Sequence, residues 1–364
     1  MATKMDATAT APPTGQPAIQ ATPVGQVVPL TTPVPGAEVP PARRARRGTG
    51  PDWLSRSLKN KKATAGLVIL LVFGAMAIFA PVLAPHEPTA FLARPHLAPS
   101  SEYWFGTEGQ GKDVLSQTIW GARISLGVGL AVGVMTTLVG MVMGMSAGYF
   151  GGRVDDVLSL ITNVFLIVPS LPLLIILAAF LPSGPWSIIL VLTVTGWAWP
   201  ARVLRSQTLS LREKEFVAAA KVSGERAPRI IFTELLPNMT SIVVAGMFGS
   251  VIYAIGAQAG LEFLGLGDLS RVSWGTNLYW AGNNAGLLTG AWWTFVPAGA
   301  CIALVAFAFA LFNYAVDEIT NPRLRAGRET AAALKILRRQ AVRVPASRAT
   351  PVVRPVQAKE QTAG

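Results

Sequence analysis

Gly106-Thr107-Glu108-Gly109-Gln110-Gly111-Lys112-Asp113 places two glycines with four residues between them and then a lysine, the spacing of a loop that wraps a phosphate in backbone amides. Asp113 stands where that loop needs a Ser or Thr hydroxyl to hold magnesium, and no apolar strand precedes it, so the stretch reads as loop geometry. The two histidines, His86 and His96, cannot fill a metal shell by themselves, and both lie in a Pro-rich polar stretch where an isolated imidazole is solvated. Cys301 is the single cysteine; it has no disulfide partner and sits in an apolar run that lacks the electropositive surroundings of a reactive thiolate, so it reads as packing. No other segment carries a nucleotide site, a catalytic triad or a metal cluster. The chain is therefore expected not to be an enzyme on its own, to hold no metal and no cofactor, and to draw any energy source from another chain.

Polar groups inside apolar runs remain: Thr162, Asn163, Tyr253 and Gln258. In a bilayer such groups either line a path or bond between helices, and both readings stay open from sequence. The runs that must position them are long. The composition is 51% hydrophobic and 14% charged, with a mean hydropathy of +0.45, too apolar for a soluble domain. Apolar runs at 65–83, 119–145, 157–181, 188–201, 242–257 and 292–316 predict an all-α membrane protein with six spans. At about 1.5 Å per residue, the first crosses roughly 30 Å of hydrocarbon. It is expected to be an uncleaved helix, because it exceeds a signal h-region and follows a polar stretch far longer than a signal n-region. Gly196 and Pro200 interrupt the fourth run, which neighbouring helices tolerate. Gly129, Gly133, Gly140, Gly144 and Gly148 share one face of the second, a surface that lets another backbone come close. Trp186, Trp274, Trp280, Trp292 and Trp293 fall near predicted span ends, as interfacial aromatics do.

The net charge of +12 raises nucleic acid as a partner. The basic residues instead follow topology: nine precede the first run, Arg153 lies between the second and third, seven lie from Arg202 to Arg229, and ten follow the sixth. Arg94, Lys112 and Arg271 fall on the opposite side among Glu87, Glu102, Glu108, Asp113, Glu262 and Asp268. The positive-inside rule then puts both termini in the cytoplasm of a multi-pass cell-membrane protein, with no nucleic acid needed to explain the charge. Along the chain this gives an Ala/Pro/Thr-rich arm, 1–50, too poor in large apolar residues to fold. A lipid-contacting basic collar (Arg43, Arg44, Arg46, Arg47, Arg56, Lys59, Lys61, Lys62) leads into the first helix, with the segment boundary at 51–84. An extracytoplasmic loop, 85–118, a five-helix core, 119–318, and a basic tail, 319–364, complete it.

The long internal cytoplasmic segment, 207–237 within Arg202 to Pro237, mixes Glu213, Lys214, Glu215, Lys221, Glu225, Arg226, Arg229 and Glu234 with apolar residues. It reads as helix, break, helix: Phe216 to Val222 are helix-compatible, Gly224 permits a sharp turn, and Pro228 suits the first turn of a second short helix ending before Pro237. A plain connecting loop is the alternative. Against it stands the small-residue core Ala218, Ala219 and Ala220, which lets a helix seat in a partner's groove.

Val217-Ala218-Ala219-Ala220-Lys221-Val222-Ser223-Gly224, followed by Ile230-Ile231-Phe232 and Leu235-Leu236-Pro237-Asn238, resembles the EAA loop of the dipeptide, oligopeptide and nickel ABC transporter permeases of the second permease type. Trp104-Phe105-Gly106-Thr107, Asp113-Val114-Leu115-Ser116 and Ile119-Trp120-Gly121-Ala122-Arg123-Ile124-Ser125-Leu126 are similar to that family's outer loop and second span. Further matches are Ala147-Gly148-Tyr149-Phe150-Gly151-Gly152, Leu209-Ser210-Leu211-Arg212-Glu213, Phe263-Leu264-Gly265-Leu266-Gly267, Ser273-Trp274-Gly275 and Asn321-Pro322-Arg323-Leu324, so the likeness runs from about Trp53 to Arg325. The sequence departs from the pattern at Ala218, where the loop usually has Glu, at Pro228, and at Gln110 and Lys112, which replace Leu and Arg.

The resemblance implies a type I ABC importer permease fold working with a second permease subunit, two ATPase subunits that bind the ATP, and an extracytoplasmic solute-binding protein. It implies that Ala218, Ala219, Ala220, Gly224, Leu236 and Pro237 belong to the ATPase-coupling surface, with Glu213 or Glu215 standing in for the missing acidic residue. The segment from Glu262 to Gly290 is expected to meet the binding protein or gate the outer mouth. Peptides are the expected cargo, with nickel and short oligosaccharides as alternatives. A secondary transporter would also show an interrupted helix and midplane polar groups, and a scaffold subunit would show none of this machinery moving with nucleotide. Six spans without an evident inverted repeat weigh against the former.

Overall fold

Asp113 starts the central helix. In the computed structural model, which describes residues 61–320, its carboxylate accepts from the Ser116 amide at 3.0 Å and caps α3, Val114–Phe150. At about 1.5 Å per residue those 37 residues outrun the hydrocarbon, so the helix extends beyond it. Before it come α1, Lys61–Ile78, and the short α2, Ala80–Leu83. After it come α4, Gly152–Ile167; α5, Ser170–Phe180; α6, Pro185–Gly196; α7, Ala198–Arg212; and α8, Glu215–Val222. The chain continues through α9, Ala227–Arg229, and a π-helical turn, Ile230–Leu235, into α10, Leu236–Phe263. Last are α11, Trp274–Asn283, a 3₁₀ turn, Trp292–Thr294, and α12, Val296–Thr320. Among the described residues the β-structure is one isolated bridge, Thr107 to Asp113.

Around α3 lie α1, α6, α7 and α10. The glycine stripe serves two partners in succession: a methyl group at Gly133 would collide with Val251 of α10, and one at Gly144 with the Ala201 carbonyl of α7. In lipid no hydrophobic effect drives helices together, and such backbone approach supplies the packing instead. One cluster joins Phe73, Leu126, Ile255, Trp274 and Phe309, with Cys301 packed against it. Another joins Val132, Leu174, Leu192 and Ala254. A third, Met145, Leu204, Val217, Ile230, Leu235 and Met239, seats α8 against the ends of α3, α7 and α10.

Several expectations need correction. The third run is not one straight crossing: α4 and α5 meet at 89°. Val168, preceding Pro169, is pushed out of the helical region to ψ 127, which breaks the ladder. The fourth run bends by 40° between α6 and α7, and α7 runs on to Arg212, so the segment expected in the cytoplasm begins as helix. The second short helix does not stop before Pro237. It joins α10 through the π turn, in which the Leu236 amide reaches Ile231 five residues back; this wider turn accommodates a proline that has no amide to donate and would crowd the preceding turn. Trp274 is not interfacial but fully buried, edge-on to Phe73 and donating from Nε1 to the Thr118 carbonyl at 3.0 Å. Among the described residues three helices are long and apolar enough to cross a membrane, or five if each bent pair is one span, and the first run is a shorter apolar helix. The arm 1–50, the collar as far as Lys59, the tail from 321 and the Asn321 motif lie outside the described residues.

Candidate functional site

The two helix breaks and the open face of α10 enclose a cavity of about 800 Å³, within the range of small-molecule sites. Phe165 to Ser170 form one wall at the α4–α5 break, and Thr195, Gly196, Trp199, Pro200 and Val203 form another at the α6–α7 break. Gly246, Gly249, Ser250 and Tyr253 of α10 face them, and Thr137 and Asn313 also contribute to the lining. A side chain at Gly246 or Gly249 would meet nothing within 4 Å, so these glycines widen the space. None of the lining residues is Asp, Glu, Lys, Arg or His. Thr137 and Thr195 donate to the Gly133 and Val191 carbonyls at 2.7 and 2.8 Å, which leaves their oxygens to accept. Asn313 donates to the Ala245 carbonyl at 3.3 Å, while its Oδ1 is buried without a partner. The site can offer hydrogen bonds and apolar contact, but no ionic bond from these residues.

Of the four polar residues singled out from sequence, Tyr253 lines the cavity. Thr162 donates to the Leu158 carbonyl at 2.7 Å, within its own helix. Asn163 accepts from Arg202 Nη2 at 2.9 Å. Gln258 is buried and donates to Glu262 Oε1 at 3.0 Å, while Glu262 Oε2 accepts from the Ser273 hydroxyl. Sequence reasoning passed over Ser170, Thr195, Ser250 and Asn313. Pro169, Gly196 and Pro200 mark the breaks that expose the first two, and Gly246 and Gly249 flank the third.

The coupling candidates gather on one element. Gly224, at φ +78, ends α8 in a left-handed turn in which the Gly224 amide reaches the Lys221 carbonyl at 3.0 Å and the Glu225 amide reaches Ala220 at 3.1 Å. Val217 is fully buried beneath α8 and Ala220 half-buried, whereas Ala218 and Ala219 face outward beside Val222, which is 89% exposed. Phe232 adds a second exposed apolar side chain, 63% accessible. Glu213 is exposed and paired with Arg212 at 3.2 Å, and Glu215, also exposed, lies in the first turn of α8, where a carboxylate suits the helix dipole. Leu236 packs against the cluster beneath α8, and Pro237 is exposed one residue later.

On the opposite side, the Gly106–Asp113 stretch folds back on itself. The amides of Gly106, Glu108, Gln110 and Gly111 are spent on Tyr103, Lys112, the Glu108 side chain and Glu108, which leaves no cradle for phosphate. A side chain at Gly111 would collide with the Ala93 carbonyl. Glu108 is buried, accepting from Asn284 Nδ2 at 3.0 Å, and burial pushes its carboxyl above the usual carboxylate range. His96 Nε2 lies 2.9 Å from the Asn284 carbonyl, which ties the loop ahead of α3 to the end of α11.

Residues 139–325 match the profile of the binding-protein-dependent transport system inner membrane component family, and residues 52–99 match the N-terminal TM domain of oligopeptide transport permease C. The dipeptide transport system permease protein DppC of Bacillus subtilis is 39% identical over 279 residues, 75% of this chain and 86% of that protein. The oligopeptide transport system permease protein OppC of the same organism is 36% identical over 277 residues, 75% of this chain and 90% of that one. Among solved structures, the inward-facing MetNI methionine ABC transporter aligns with a TM-score of 0.44 at 20% identity, over 56% of this chain and 94% of that chain.

Proposed function

Because the chain belongs to the family of binding-protein-dependent transport system inner membrane components, we propose that it is the membrane-spanning permease subunit of an ABC importer that carries short peptides inward. The observation that carries this reading is connectivity. Helices α7 and α10 both wall the cavity, and α8, with its outward alanines, is strung between them. A push on α8 therefore acts on two walls at once. Partner ATPases bind and hydrolyse the ATP, and their closure moves α8 as a rigid body, switching the cavity between inward-open and outward-open arrangements. Ala218, Ala219, Ala220 and Gly224 form the seat, flanked by Glu213, Glu215, Leu236 and Pro237.

In this reading a second permease supplies the other half of the path, both termini are cytoplasmic, and the segment from Glu262 to Gly290 faces the solute-binding protein. Affinity resides mainly in that protein, in keeping with a cavity that has neutral lining residues. Peptide is favoured over nickel, because the described lining gives a divalent cation neither carboxylate nor imidazole.

The test is isolation of the tagged chain from its native host in mild detergent, alongside Gly224→Asp and Ala219→Glu. The expected result is that an ATPase subunit and a second permease accompany the native chain and that the ATPase is lost from both variants. A chain isolated alone that moves solute in liposomes without ATP would overturn the reading in favour of secondary transport.

A further inference from the structure

We infer that Asp155 and Arg205 are a positioning pair that carries displacement of α8 into the cavity wall at the α4–α5 break, an inference that rests on the importer reading above. Arg205 Nε donates to Asp155 Oδ1 at 2.5 Å and Nη2 donates to Oδ2 at 2.7 Å. This two-bond fork fixes the angle between its helices as well as their separation, which a single ammonium contact does not. Ser159 Oγ donates to the same Oδ1 at 2.8 Å and holds the carboxylate in place.

Two more ties run along α7. Arg202 Nη2 donates to Asn163 Oδ1 at 2.9 Å, and Arg212 Nη1 donates to the Gly148 carbonyl at 3.2 Å at the end of α3. Three arginines of one helix thus strap it to α4 and α3. The strap sits between the two places that must communicate. At one end α7 is joined to α8 by Glu213 and Lys214, with the Lys214 amide bonded back to the Leu211 carbonyl at 3.0 Å. At the other end α4 terminates in Phe165 to Ile167, which line the cavity just before the break at Val168 and Pro169.

Below the strap, Phe165 and Leu166 of α4 pack through apolar contact on Trp197 and on Ala198 and Ala201 of α7. Apolar contact of this kind permits sliding, whereas a bidentate pair resists it. Partly exposed ion pairs contribute little to stability, so rigidity rather than stability is the property this pair supplies.

The assembly purified with its own partners, in liposomes with the solute-binding protein and a radiolabelled dipeptide, tests this through ATP hydrolysed and peptide taken up. Asp155→Asn and Arg205→Gln should retain the ATPase subunit and hydrolyse ATP within about twofold of native, while peptide moved per ATP falls roughly tenfold. Arg205→Lys, which keeps the charge but loses the fork, should fall in between. Exchange of the two, Asp155→Arg with Arg205→Asp, should recover part of the loss, a coupling that a double-mutant cycle isolates. A native ratio in the single variants, a proportional fall of hydrolysis and uptake together, or loss of the ATPase subunit overturns the proposal. Where Asp155→Asn fails to fold and cannot be purified, Arg205→Lys decides, a native ratio again overturning it. If the unmodified chain binds no ATPase the importer reading itself fails; if it couples and the variants couple equally well, only the role of this pair fails.

Discussion

Gly224 can end α8 as it does because it has no side chain to resist a φ of +78. No neighbour lies within 4 Å of where a Cβ would sit, so a substitution there carries conformational strain and no clash. Gly224→Ala should therefore weaken the turn by about 1 kcal/mol and lower ATPase retention only partly; a variant that binds the ATPase as natively in a titrated pull-down would contradict this. Glu108 makes a prediction about pH. Burial raises its carboxyl above the usual range, so the folded chain keeps that proton to higher pH than the unfolded chain does. Its stabilising contribution is full below about pH 4.3, the ordinary glutamate value, and is lost as pH rises through the raised one. Glu108→Gln should raise the melting temperature near neutral pH and converge with native as pH falls toward about 4. A melting curve showing the variant less stable at neutral pH would refute it. Gly224 was legible in the sequence because glycine after an alanine-rich run has one common use. Asn163 and Gln258 were not, because a polar side chain within a span says that a partner exists and not which one, and their partners, Arg202 and Glu262, hold them away from the cavity.

At the scale of elements, the seam between α3 and α7 depends on the absence of side chains at Gly140, Gly144 and Gly148, where α7 backbone atoms lie against the helix. Gly144→Val forces the Ala201 carbonyl away, and overpacking of this kind costs about 1–3 kcal/mol. The purified variant should melt at lower temperature, whereas Gly249→Ala, which adds a methyl group to open space, should melt as native does. Equal melting of the two would show that the seam is not close-packed. The stripe itself could be read from the spacing of the glycines, but the change of partner from α10 to α7 partway along it could not, since spacing encodes a face and not its occupant. The 89° break likewise has its cause in the sequence at Pro169, yet the apolar run continues through it, and hydropathy is blind to direction. In sequence Pro237 reads as a stop because proline removes a hydrogen bond; the π turn ahead of it accommodates that loss and lets the helix continue.

At the scale of the molecule, composition and the distribution of basic residues already pointed to a multi-pass membrane protein, while the cavity emerged only when broken helices distant in sequence came together. It joins Ser170, Thr195, Ser250 and Asn313, four polar residues on four helices that no local pattern links. If α8 drives this cavity, a thiol placed at Ser250 in a Cys301→Ala chain should react with a membrane-impermeant maleimide at a rate that changes when vanadate traps the ATPases; a constant rate would mark a scaffold. The most direct measurement is uptake itself: the purified assembly in liposomes with the solute-binding protein and a labelled dipeptide, with and without ATP on the side that bears α8. The account predicts peptide accumulation against its gradient only with ATP on that side, and none with a non-hydrolysable analogue. Accumulation without ATP, driven by an ion gradient, would contradict it.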